Sequence, residues 1–340
     1  MRAEPPIRRD RCPSRRQQRG LTLVELLVGL TLGLFVTAAL LLVFATASAQ
    51  GQNIARVGMQ IENGRYVSEL LREDLHLAGF FGETSVAGAL YAQPDPCQTT
   101  PTGWSGAPLS LPAPIEGFTA ADALACLDHR KAGTDALAVR RLGVETLDPT
   151  ALGGGNTQYY VQYSYCLGDV ASPRLVFAND RSAFTLRNRA CTAPNPVRAY
   201  VSRVYYVADC NRCGIGGDSI PTLKRVDLTG NTLVVTALAE GVETLRFEYG
   251  FDTDGNGSPD TFRTTLGGVG PIADWANVVA LKVHFITRSL EKASGSNLAT
   301  AQQFDLGGTP VVATVADGYT RRAYSNTIRL VNPSSVREAQ

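Results

Sequence analysis

Three groups of residues have the types and spacings that chemistry uses. Asp252, Asp254, Asn256 and Asp260 stand at positions 1, 3, 5 and 9 of a loop that has Gly257 at position 6. Hard oxygen ligands at that spacing, with a glycine for the sharp turn, form the front of a calcium loop. Position 12 is Arg263 rather than a bidentate glutamate, so a complete EF-hand is excluded. A structural calcium would need a further oxygen, such as one from Glu248; the alternative is a metal-free Asp/Asn/Gly turn between strands. The second group, Cys210-Asn-Arg-Cys213, has the spacing of a redox dithiol or of half a zinc site. A zinc ribbon needs a second Cys or His pair soon after, and none follows. The next residues read as a loop rather than a helix, which favours a structural disulfide. The third is a single carboxylate, Glu25, inside an apolar run from Leu21 to Phe44 that holds no other ionisable side chain. A lone charge in such a segment is costly and marks a functional position that needs a partner.

The remaining titratable residues assemble no triad, phosphate loop or paired-carboxylate site, and His76, His129 and His284 stand apart from any such signature. The sequence therefore reads as that of a protein that is not an enzyme.

The elements that must position these residues follow from periodicity. Leu21–Phe44 is apolar on all sides, and at about 1.5 Å per residue its 24 residues cross a ~30 Å bilayer core with some tilt. Beyond it, Ile54, Val57, Ile61, Val67, Leu70, Leu71, Leu75 and Leu77 fall mostly three or four apart, continuing the helix as an amphipathic segment that stops at Ala78-Gly79-Phe80. Gly58, Gly64 and Gly79 are its weak points. Residues 82–131 show no sustained period and read as a long loop region, with Trp104 and Phe118 covering part of a core. From Asp135 onward the period is two. Strands are expected at 135–141, 159–166, 174–177, 197–208, 222–227, 232–237, 242–251, 278–287 and 322–331, with hairpin turns at Gly153-Gly-Gly-Asn and Gly230-Asn231. A helix followed by strands predicts an α+β fold, with an antiparallel sheet packed on the amphipathic half of the helix. The expected organisation is a leader over 1–20, an apolar helical half over 21–44, an amphipathic half over 45–80 and a head over 81–340.

The formal charge of +1 hides an asymmetry: residues 1–20 carry seven arginines against Glu4 and Asp10, a net of +5, which leaves 1 − 5 = −4 for the rest. Arginines before an apolar span stay on the cytoplasmic side, so the larger part is exported. A mildly acidic exported part gives no reason to expect nucleic-acid binding. Six cysteines lie beyond the leader, Cys97, Cys126, Cys166, Cys191, Cys210 and Cys213. An even count suits an oxidising compartment and a disulfide framework. Fifteen pairings are open; the sequential one closes the shortest loops and is the one expected.

Gly20-Leu-Thr-Leu-Val-Glu25, with arginines before it and a leucine-rich helix after it, resembles the signal of type IV prepilins and pseudopilins. The resemblance implies a pilin-like fold, cleavage between Gly20 and Leu21 by a prepilin peptidase, N-methylation of Leu21, and an assembly role for Glu25 opposite a neighbouring subunit's N-terminal amine. Leu21 stands where Phe or Met is commoner. The helix segment Gly64-Arg-Tyr through Leu70-Leu71, Asp74-Leu75 and Ala78-Gly79-Phe80 is similar to that of PilW-type minor pilins, with His76 where an arginine is commoner. So are Val201–Ala208, Leu238–Gly250 with its Asp-rich loop, and Arg321–Arg329. Trp275–Val283 is similar both to PilW and to J-type pseudopilins of type II secretion, and residues 85–195 resemble neither. A PilW-type minor pilin would be anchored in the inner membrane by one span with a periplasmic head. It would then enter the extracellular pilus and serve priming, tip formation, adhesion and twitching. Its implied partners are other minor pilins, the major pilin and a PilY-like tip adhesin. The rival readings are the J-type pseudopilin and a membrane-anchored periplasmic binding protein or enzyme.

Overall fold

The computed structural model describes residues 20, 22–83, 86, 88–106, 108–153, 157–169, 174–264, 275–292, 302–307, 310–313 and 317–339. The leader 1–19, Leu21 and most of the turn expected after Gly153 lie outside the described residues. A single helix, α1 (Leu23–Leu77), opens the fold. β1 (Leu90–Ala92), β2 (Ser105–Gly106), β3 (Leu109–Pro112) and β4 (Ile115–Phe118) follow it. The middle of the chain forms β5 (Ala136–Leu142), β6 (Tyr160–Tyr163), β7 (Leu175–Ala178), β8 (Val197–Ala208), β9 (Thr222–Thr229), β10 (Thr232–Glu240) and β11 (Val242–Phe251). The last part gives β12 (Thr261–Arg263), β13 (Val278–Arg288), β14 (Gln302–Asp305), β15 (Pro310–Ala313), β16 (Arg321–Arg329) and a short helix, α2 (Val331–Glu338).

The larger sheet runs β10-β9-β8-β5-β4, with β6 paired to the start of β8 and to β7. A second antiparallel sheet runs β12-β11-β13-β16. β8 and β11 match the expected strands at both ends, because alternation continues until a polar loop interrupts it. Gly230 and Asn231 make the two-residue β9–β10 hairpin, with Gly230 at φ 61°. Three expectations need correction. Among the described residues the strands form two principal sheets rather than one. Residues 82–131, expected as loop, contain four short strands, of which β1 and β3 pair in parallel and β4 joins the larger sheet. Runs of two to four residues are too short to show a period, and only their partners reveal them. The chain end, read simply as strand to 331, turns into α2 at Val331.

Two compact units divide the chain, residues 1–54 and 55–340, so the later turns of α1 group with the sheets. In the second unit Gln60, Gly64, Val67, Leu71, Asp74, Leu75 and Ala78 form the buried stripe of α1, at helical spacing. Val67, Leu71 and Leu75 share one core with Leu137 and Val139 of β5, Tyr205 and Val207 of β8, Leu245 and Phe247 of β11, and Val283 and Phe285 of β13. Each such aliphatic side chain contributes about 1.5–3 kcal/mol on burial. Ile54, Val57 and Ile61, expected on the same covered face, are exposed, because the covered stripe begins only at Gln60. A second cluster gathers the strands before β8: Trp104 stacks on Phe177 and meets Phe81 and Tyr200 edge-on. Trp104 thus has the core-covering role that its sequence context suggested.

Polar contacts fix the helix in this core. Buried Asp74 accepts hydrogen bonds from Arg141 Nε (3.1 Å), Arg203 Nη1 (2.8 Å) and the Tyr205 hydroxyl (2.9 Å). At the C-terminal end Asn332 Nδ2 donates to the free carbonyls of Ala78 (3.1 Å) and His76 (3.4 Å), while Gly79 takes the left-handed turn at φ 72°. Gly64 is no weak point. A Cβ built there would lie 2.1 Å from Tyr324 Cζ, far closer than any real contact, so glycine is what lets α1 approach β16.

Candidate functional site

The first turns of α1 carry the residues expected to act. Gly20 is exposed and Leu21 lies outside the described residues. Thr22 is the residue before the helix. Its hydroxyl oxygen accepts from the Glu25 amide at 3.3 Å and its carbonyl from the Leu26 amide at 3.1 Å. Thr22-x-x-Glu25 therefore has the spacing of a capping box, a signal present in the sequence that its reading passed over. The position also sets Glu25 in the first helical turn, where the exposed amides and the helix dipole favour negative charge. Helix-terminal charge preference thus favours an acidic residue at this place.

The surrounding turns leave Glu25 alone in its polarity. From Leu23 the helix contains a window of mean hydropathy 2.6, long and apolar enough to cross a membrane. Its hydroxyls are satisfied inside the helix: Thr31 donates to Val28 O and Thr37 to Gly33 O, each at 3.0 Å. Such back-bonding hides a hydroxyl from an apolar medium. The Glu25 carboxylate has no partner among the described residues, and in a bilayer or a bundle of apolar helices it requires a cation from elsewhere.

The other sequence-derived candidates are distributed over the head. The cysteines pair as 97–126, 166–191 and 210–213, the sequential pattern expected. Asp252, Asp254 and Asp260 converge, each offering a carboxylate oxygen within 4.8 Å of the others'. Asp252 is fully buried, accepting from the amides of Gly255 (2.7 Å) and Gly257 (2.9 Å) and from Arg337 Nε (3.3 Å). Burial raises its pKa, but these donors outweigh burial and hold it below the usual carboxylate value. Asp260 is also lowered, by the hydroxyl and amide of Thr253. Asn256 donates to Asp254 and accepts from the Ser258 amide. Glu248 is engaged elsewhere, by Lys282 at 3.1 Å and beside buried His284 at 3.4 Å. His76 lies half-buried in the last turn of α1.

Residues 15–41 match the prokaryotic N-terminal methylation motif, and residues 204–332 match type IV pilus-assembly protein W. The second match runs from β8 through both sheets into α2, and so takes in the Asp252 loop and the Asn332 cap. A long apolar N-terminal helix, its processing motif and a β-sheet head define a type IV pilin-like protein. Within that class residues 204–332 are similar to the PilW family, whose pilin-like members are structural proteins. The methylation motif implies processing by a prepilin peptidase and assembly with other pilins at a membrane. Among solved structures, a type IV-like pilin from Thermus thermophilus is similar at 10% identity and a TM-score of 0.36, over 80% of this chain and 97% of that one. That likeness is too distant to add to the assignment. None of the curated proteins matches.

Proposed function

We propose that the chain is a minor pilin that primes type IV pilus assembly and stays at the tip, with adhesion and twitching as the consequences. The carrying observation is Glu25, a carboxylate without a partner among the described residues, at the head of an apolar helix and five residues past the expected processing site of a chain whose residues 204–332 match PilW. In this reading the precursor sits in the inner membrane with one span and a periplasmic head. Cleavage between Gly20 and Leu21 creates an amine, and Glu25 pairs with the amine of the next subunit as the helices bundle. Each charge then compensates the other in a medium that penalises either alone. Other minor pilins, the major pilin and a PilY-like adhesin are the proposed partners.

The test is a deletion strain complemented with the parent or with Glu25→Ala, scored for surface pili, twitching and type II secretion. Expected are loss of pili and twitching on deletion, rescue by the parent, and no rescue by Glu25→Ala although mass spectrometry shows the leader removed. A secretion defect with normal pili would transfer the role to a J-type pseudopilin. Full rescue by Glu25→Ala would leave the helix as an anchor only.

A separate proposal is a structural calcium at Asp252, Asp254, Asn256 and Asp260, supported by the convergence of three carboxylates on one loop. Calcium should raise the melting temperature of the parent protein, and Asp252→Ala with Asp254→Ala should abolish the rise. An unchanged parent in calcium and in chelator refutes it.

A further inference from the structure

The sequence shows two cysteines three apart and no second ligand pair following them. The fold supplies one from the other direction. Residues 129–131 lie antiparallel against the end of β8: the Asp209 amide donates to His129 O (3.0 Å), the Lys131 amide donates to Val207 O (2.8 Å), and Arg130 bridges to Ala208. His129 is thereby set opposite Asp209, with Nδ1 3.8 Å from Asp209 Oδ1. Asp209 directly precedes Cys210, and the ligand atoms of His129, Asp209, Cys210 and Cys213 all lie within 4.8 Å of one another.

We propose that the reduced Cys210–Cys213 pair, with His129 and Asp209, is a tetrahedral zinc site, and that zinc and the disulfide are alternative fates of the same two sulfurs. Two thiolates, an imidazole and a carboxylate are a donor set that suits zinc. Zn–S bonds of about 2.3 Å place tetrahedral sulfurs roughly 3.8 Å apart, and Zn–N and Zn–O bonds of about 2.0 Å place those ligands roughly 3.3 Å apart. The 3.8 Å between His129 Nδ1 and Asp209 Oδ1 is close to the second value, and the two sulfurs, bonded to each other in this structure, would move apart to the first once reduced. Charge fits as well. Two thiolates and a carboxylate around Zn2+ leave −1, and Lys224 Nζ, 3.1 Å from Cys213 Sγ, supplies the compensating +1.

The backbone is held independently of the S–S bond, so the ligands stay poised when it is absent. Asp218 accepts from the amides of Asn211 (2.8 Å), Arg212 (3.0 Å) and Ile220 (3.1 Å), closing the turn that carries both cysteines. On the other side the Arg130 guanidinium donates to the carbonyls of Phe118, Thr119, Asp122 and Thr134, which fixes the segment that presents His129. His129 and Asp209 are exposed and Cys213 is half-buried, so a hydrated cation can enter. No redox step is needed. The cysteines are synthesised as thiols, and Zn2+ displaces one proton from each as the two Zn–S bonds form. The local disulfide joins residues three apart, whereas zinc would also tie the 119–131 loop to the end of β8.

The test uses the full chain in detergent, oxidised or reduced anaerobically with a phosphine, loaded with zinc and stripped on a chelating resin. The reduced protein should retain about one zinc and the oxidised protein none. Zinc should protect Cys210 and Cys213 from alkylation, read residue by residue by mass spectrometry, and should leave the other cysteines reactive. His129→Ala or Asp209→Ala should weaken retention by at least the ~10–100-fold that losing a supporting group around a metal costs. Should a variant fail to fold, cobalt decides on the parent: thiolate-to-cobalt charge transfer with intense tetrahedral d–d bands is expected. Absence of those bands, equal zinc on the oxidised protein, protection at other cysteines, or parental retention in the folded His129→Ala/Asp209→Ala double variant each overturns the site.

Discussion

Asp74 offers the sharpest test of how the head holds its helix. Its carboxylate is 4% exposed and takes three donors, two of them charged. Asp74→Ala removes all three bonds and leaves Arg141 without its carboxylate at a site where its side chain is 12% exposed. Breaking a buried pair from one side costs about 3–5 kcal/mol. Arg203 keeps Asp227 at 3.1 Å, which moves the expectation to the lower end, about 3 kcal/mol. In a domain of this size 1 kcal/mol shifts the melting temperature by about 2–4 °C, so a fall of roughly 6–12 °C is expected. Tyr205→Phe removes one donor and leaves both arginines on the carboxylate, so it should cost about 1 kcal/mol. Combined with Asp74→Ala it should cost less than the sum, because both changes break the same bond. The assay is thermal unfolding of the full chain in detergent by circular dichroism. An Asp74→Ala protein melting within about 2 °C of the parent, equivalent to under 1 kcal/mol, would falsify the view that this cluster pins α1 to the sheets.

Gly64→Ala should destabilise by about 1–3 kcal/mol through overpacking against Tyr324. Combined with Tyr324→Ala it should cost less than the sum of the two single variants, and simple additivity in the double variant would show that the ring is not the obstacle. Asp317, hydrogen-bonded by Arg321, has its pKa lowered to about 2. A lowered carboxylate adds stability above its unfolded value near 3.8 and loses it as pH falls through its folded value. Melting temperature should therefore drop between about pH 4 and pH 2, and Asp317→Asn should flatten that part of the curve. Identical slopes for parent and variant would rule this group out.

Several features were legible because they depend on neighbours along the chain. The apolar run from Leu21, its lone Glu25 and the junction at Gly20 are local composition, and such a segment has few ways to satisfy its backbone other than a membrane-spanning helix. Strands β8 and β11 were visible because alternation over ten or more residues leaves one consistent face. The capping box at Thr22 was equally present, and its spacing was the missed signal. β1 to β4 gave no such signal, since a strand of three residues exists only through its partner.

By itself, then, the sequence determined the long helix, the methylation motif over residues 15–41, the run of strands and the even set of cysteines, since periodicity, charge asymmetry and residue type act over short range. Only the tertiary structure decided what Gly64, Asp74 and Cys210 do. Gly64 meets a ring from β16, and Asp74 meets donors 67, 129 and 131 residues away. Cys210 lies beside a histidine brought there by a β-bridge. Close approach between distant segments has no local pattern, because the free energy that selects it comes from burial and pairing of groups that become neighbours only once the chain has folded.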